Sequence, residues 1–179
     1  MRHERSAGWG VTGAIAGLRA IVGIAAILLL GGQVAIDGVG RSTGLAVPRF
    51  VSLADAEVNL RYGPGTDFPI KWIYQREGLP VMIIDEFDVW RQIRDYEGEE
   101  GWVHQSLLSG RRRLLVTGEV RGLKRRPAET ARVVLRAEPG VIGDLLECEV
   151  GWCRVEIDGR RGWLARDEFY GVLPDETFR

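Results

Sequence analysis

Only two cysteines, two histidines and two lysines occur in this chain of 179 residues, and each scarcity removes a class of chemistry. The cysteines stand at 148 and 153 with no histidine beside them, so they cannot assemble a tetrahedral zinc site alone. They form either a disulfide or two thiols. His104 is the only histidine beyond the N-terminal segment, and no acid–nucleophile arrangement surrounds it in the sequence. Ser106 and Ser109 belong to a turn without the strand-to-helix elbow that activates a serine. Phosphate loops, dinucleotide loops and paired zinc spacings are absent too. The expectation is a non-enzymatic protein with no catalytic residue, no cofactor and no metal. A formal net charge of −1 is not the footprint of a nucleic-acid binder.

What is present begins with an N-terminal stretch carrying Arg2, Arg5 and Arg19, followed by an uncharged run, "AIVGIAAILLLGGQVAI", from 20 to 36. A basic region before an apolar one is the pattern of a secretory signal, at the short limit for spanning a bilayer. Residues 1–36 are therefore read as a signal peptide or a membrane anchor, with cleavage left open because Gln33 occupies a position that favours a small residue. Residues 37–49 read as a linker. Export would place the rest in the periplasm or cell envelope.

From about Phe50 onward, short alternating and β-branched runs are broken by Gly, Pro and Asp, which predicts an all-β fold. The pattern is written twice. A shift of 62 lays "EGLPVMIIDEFDVWRQI" (77–93) on "PGVIGDLLECEVGWCRV" (139–155), so that Gly78 meets Gly140, Trp90 meets Trp152 and Ile93 meets Val155. At a shift of 61 "GEEGWV" meets "GRRGWL" and Trp102 meets Trp163; at 63 "LRYGP" (60–64) meets "LKRRP" (123–127). Agreement across Trp and Gly at a fixed spacing indicates a duplicated unit of about 55–60 residues. The units are placed at 50–116 and 117–174, each a small, strongly bent barrel of short strands.

These residues resemble the bacterial SH3-like domains. "VNLRYGPGTDFP", "EGLPVMII" and "DVWRQIRDYEGEEGWVHQSLL" follow that family's order of motifs, and "GWCRVEIDGRRGWL" repeats the later half without the N-x-R-x-G-P-G opening. The resemblance implies two tandem SH3-like β-barrels after the N-terminal hydrophobic segment, and binding as the function. In eukaryotic SH3 domains a Trp at this place lines the peptide groove. By analogy the candidate groove residues are Trp90, His104, Leu107 and Tyr62, with Trp152 in the second unit. His104 and Ala165 stand where the eukaryotic Pro is expected, and Leu107 and Glu168 where its Tyr is, so no proline-rich ligand is carried over.

Period-2 alternation opposes Trp90 to Ile93 and Trp152 to Val155, so an inward Ile and Val put each Trp outside. Trp102, at the start of the closing strand, is expected in the core. Cys148 and Cys153 flank a hairpin turn and fall opposite Glu86 and Arg91 at the 62-residue shift; in an exported protein they are expected to form a disulfide. The segment 111–126 carries seven basic residues against one acidic. It either meets an anionic surface or pairs with the acidic cluster Asp85, Glu86, Asp88, Glu97, Glu99 and Glu100. The sequence thus predicts an exported binding module for a peptide, peptidoglycan or an envelope protein, with no nucleic-acid partner. The alternative is a scaffold whose two units pack together and bind no small ligand.

Overall fold

A computed structural model describes residues 38–179; the expected signal or anchor, 1–36, lies outside them. A two-stranded ribbon opens the described chain, β1 (Gly38–Val39) against β2 (Ala46–Val47), within the segment read as a linker. The first unit contains β3 (Arg49–Leu53), β4 (Val58–Arg61), β5 (Ile70–Tyr74), β6 (Pro80–Phe87), β7 (Trp90–Arg94), β8 (Glu100–His104) and β9 (Leu108–Ser109). The second contains β10 (Arg113–Val116), β11 (Arg121–Lys124), β12 (Val133–Ala137), β13 (Ile142–Cys148), β14 (Trp152–Ile157), β15 (Arg160–Ala165) and β16 (Phe169–Tyr170). A single 3-10 turn precedes the last strand of each unit, Gln105–Leu107 and Arg166–Glu168. Among the described residues no helix is long and apolar enough to cross a membrane.

The two seven-stranded antiparallel sheets have the same order. It is β5-β4-β8-β7-β6-β3-β9 in the first and β12-β11-β15-β14-β13-β10-β16 in the second. Even the irregularities repeat. The register shifts between Leu60 and Arg61 and between Ile83 and Asp85, and again between Leu123 and Lys124 and between Leu145 and Glu147. Such bulges bend a strand and increase its twist, which lets a small sheet wrap its own core. The matching order makes β10 the counterpart of β3. The second unit therefore begins at Arg113, and residues 113–116, placed by the sequence at the end of the first unit, belong to the second sheet. Their Val-Leu character suits either sheet; the ladder to Ile142, Gly143 and Asp144 decides.

Leu53, Val58, Leu60, Val81, Ile83, Ile93 and Val103 fill the first core, and Leu114, Val116, Leu123, Val155, Ile157 and Leu164 fill the second. Leu115 crosses over: its strand is in the second sheet, but its side chain is buried in the first core, and Ile142 and Tyr170 pack against the same cluster. Neighbouring side chains on a strand point to opposite faces, so Leu114 serves one core and Leu115 the other.

The repeated G-x-x-G-W has a backbone cause. Gly98 and Gly159 have φ of +89° and +70°, a region that disfavours other residues. Gly101 and Gly162 are instead crowded: a Cβ on Gly101 would lie 2.6 Å from Leu60 Cγ and one on Gly162 2.9 Å from Leu123 Cβ. Trp102 is not a core residue. With Gly101 and Val103 facing inward, alternation sends Trp102 to the outer face, where it is half-buried.

Candidate functional site

Ile93 is fully buried, and Trp90, three residues earlier on β7, lies half-buried on the outer face. Directly opposite on β8 is His104, its ring edge-to-face with that of Trp90 at 5.5 Å between centroids. His104 also opens the 3-10 turn: its Nδ1 accepts from Ser106 N–H at 3.3 Å and lies 2.7 Å from Ser106 Oγ. The amide can only donate, so in the neutral ring the proton sits on Nε2. The turn then brings Leu107 beside the two rings.

Trp90, His104 and Leu107 line one side of a depression of about 160 Å³ whose other side is Asn59, Arg61 and Thr66. Arg61 shapes that wall by donating from Nη1 to the carbonyls of Thr66 and Phe68, which folds the Y-G-P-G-T-D-F-P loop back on β4. Phe68 lies on Gly63, where a Cβ would have no room. Asn59 Oδ1 is buried with no hydrogen-bond partner among the described residues. Asn59, Arg61 and Thr66 were not singled out from sequence. The signal was available, because they stand in and beside the N-x-R-x-G-P-G motif.

Tyr62 does not line this depression. It is 64 % exposed, with the Lys71 ammonium 5.8 Å from its ring centroid. Trp152 belongs to the second unit, half-buried opposite Ala165 on β15, so the histidine of the first unit has no counterpart there. Cys148 and Cys153 face each other in the β13–β14 register and form a disulfide, both sulfurs buried.

Four of the seven basic residues of segment 111–126 are paired within their own unit. Arg111 and Arg113 flank Asp144 at 3.3 and 3.2 Å, Arg112 pairs with Glu176, and Arg121 with Glu119 at 3.1 Å. Within the acidic cluster, Asp85 pairs with Arg41 of the ribbon, Glu99 with Lys71 at 2.8 Å and Glu100 with Arg94 at 2.6 Å. Glu86 is the deepest of them, 1 % exposed, and faces Arg91, itself 4 % exposed, in the β6–β7 register. Its carboxylate accepts from Arg49 Nη2, Thr43 Oγ1 and the amides of Ser42 and Thr43, so the ribbon before β3 closes over it. Burial pushes the Glu86 pKa up, but those donors outweigh it and hold the carboxyl at about 2.

Two small seven-stranded units of identical strand order, each with a 3-10 turn before its last strand, define the class. A family model described as bacterial SH3 domain matches residues 54–110 and again residues 122–171, more than half of the chain, and the chain belongs to that family of binding domains. No curated protein matches it. Among solved structures it is similar to NlpC2 from Trichomonas vaginalis (13 % identity over 70 % of this chain and 48 % of that one, TM-score 0.33). It is also similar to NlpC1 from the same organism (14 %, 73 % and 48 %, TM-score 0.33) and to an NlpC/P60 family protein from Bacillus cereus ATCC 10987 (16 %, 68 % and 56 %, TM-score 0.31). The chain spans about half the length of these structures.

Proposed function

We propose that the chain is an exported envelope protein whose first unit binds a peptide-like ligand, borne by peptidoglycan or an envelope protein, in the depression beside Trp90. The observation that carries this reading is the depression itself, with Trp90, His104 and Leu107 set against Asn59, Arg61 and Thr66. The Trp and Leu surfaces cover the apolar part of an extended ligand at low entropic cost. The ring N–H on His104 Nε2 adds a donor for a ligand carbonyl. Export rests on the pattern of residues 1–36.

The experiment is retention of the full chain, in non-ionic detergent, on purified peptidoglycan sacculi and on envelope extract. Wild-type protein is expected to be retained and Trp90→Ala to pass through with its thermal unfolding unchanged. Equal retention of the two would overturn the groove. The scaffold reading has its own support in Leu115 and Tyr170, which join the two units. It predicts no retention on either material.

A further inference from the structure

The second unit retains the opening loop of the first in everything but its side chains. In the first unit Tyr62 N–H bonds Pro69 O, Gly65 N–H bonds Gly63 O and Phe68 N–H bonds Gly65 O. Sixty-three residues on, Arg125 N–H bonds Arg132 O, Ala128 N–H bonds Arg126 O and Ala131 N–H bonds Ala128 O. Even the cation that staples the loop is matched, Arg61 on the carbonyl of Thr66 by Lys124 on the carbonyl of Glu129. On this common frame Tyr62, Gly63 and Pro69 are replaced by Arg125, Arg126 and Arg132.

Those three arginines are exposed and line a concave surface of about 410 Å³. None of them makes an ion pair or a side-chain hydrogen bond among the described residues, although the arginines just upstream, Arg111, Arg112, Arg113 and Arg121, all have carboxylates. The loop's own carboxylate, Glu129, is exposed and pairs with none of the three. Three like charges on one short loop repel one another, so their gathering without a counter-charge is a cost that an anion removes. Guanidinium forks match the oxygens of a phosphoryl group in pairs, which a single ammonium cannot do.

We propose that the loop from Arg125 to Arg132 is a binding site for a phosphoryl group, held by the guanidinium groups of Arg125, Arg126 and Arg132. It is separate from the Trp90 depression in place and in chemistry. The phosphoryl group comes either from a soluble phosphate ester or from an anionic lipid headgroup, and the test distinguishes them.

Full-length protein with ¹⁵N-labelled arginine, in dodecyl maltoside micelles, is titrated with inorganic pyrophosphate in one arm and with phosphatidylglycerol mixed into the micelles in the other. The Nε–Hε resonances of the three arginines are expected to shift and saturate. Saturation with pyrophosphate alone assigns a soluble ester, and saturation with lipid alone assigns a headgroup. With affinity read by isothermal titration calorimetry, the triple variant Arg125→Gln/Arg126→Gln/Arg132→Gln should weaken binding about tenfold or more, and any one of the three substitutions about threefold. A control that removes equal charge elsewhere, Arg41→Gln/Arg111→Gln/Arg160→Gln, should change affinity less than about twofold. No saturable shift in either arm overturns the proposal. So does equal weakening by the control, which would make the effect one of bulk charge. Because the loop's hydrogen bonds are main-chain or come from Lys124, the triple variant keeps its fold, and Trp90-dependent retention on sacculi is unchanged by it.

Discussion

Tyr170, on the last strand of the second sheet, donates its hydroxyl hydrogen to the carbonyl of Arg94 in the first, at 2.9 Å, while its ring stands edge-to-face to Phe50 at 4.9 Å. The two units are thereby fastened through one side chain that is polar at its tip and apolar along its body. Tyr170→Phe removes only the hydrogen bond and is expected to cost about 1 kcal/mol. Tyr170→Leu also loses the ring contact and should cost more. Calorimetry of the wild type should show the two units melting in one transition; a split into two transitions in Tyr170→Leu would locate the coupling at this residue.

Burial and the neighbouring Asp95 charge hold the Tyr74 phenol above its usual range, and burial does the same for Tyr170. A raised phenol pKa means that the folded state holds the proton longer than the unfolded chain. The stabilisation is fully present below pH of about 10 and declines as pH rises above that value. Urea midpoints measured from pH 8 to pH 11.5 should fall over the upper part of the range, and less so in Tyr170→Phe.

Glu86 works in the opposite direction. Its carboxyl sits at about 2 in the folded protein, against about 4.3 in an unfolded chain, and contributes on the order of 3 kcal/mol at neutral pH. That contribution is present above about pH 5 and is lost as pH falls toward 2. Glu86→Gln should flatten stability between pH 5 and pH 2 and lower it at pH 7, because Arg49 and Arg91 are left without their carboxylate. It should also release the ribbon, seen as fast tryptic cleavage after Arg41.

Gly101→Ala is expected to cost about 1–3 kcal/mol, because the new methyl meets Leu60 and the carbonyl of Arg61. Trp102→Ala should cost less than the roughly 3–5 kcal/mol typical of a buried tryptophan, since the ring lies on the outer face. Denaturant titration of the two variants side by side checks the order.

The Cys148–Cys153 bond closes a short loop and should be worth about 2 kcal/mol by chain entropy. Thiol titration of denatured, unreduced protein should find no free thiol. With both residues buried, reductant alone should act slowly on the folded chain and quickly in urea.

The duplication was legible because Trp and Gly sit where geometry is least forgiving, and a fixed offset between such residues survives divergence of the rest. The facing of Cys148 and Cys153 followed from the hairpin. Trp102 misled because size suggests a core residue, whereas the pleat gives the inward place to Val103. The burial of Glu86 was hidden because its main donors, Thr43 and Arg49, lie some forty residues upstream, in the stretch whose composition reads as a linker. The second unit's loop was hidden for a different reason. Its hydrogen bonds run between main-chain groups, so the frame outlasts the motif that marks it in the first unit.

Between β9 and β10 only Gly110, Arg111 and Arg112 join the two units, and little of that joint is free. Ser52 Oγ donates to the Arg111 carbonyl, Arg111 reaches Asp144, and Arg112 is tied to Glu176 and the Gly171 carbonyl. Tandem modules on a slack tether gain avidity by searching for the second site at a high effective concentration. Here the span between the Trp90 depression and the arginine loop is fixed before any ligand arrives. A ligand carrying both chemistries gains from the pair only if its own groups match that span, so the joint acts as a ruler.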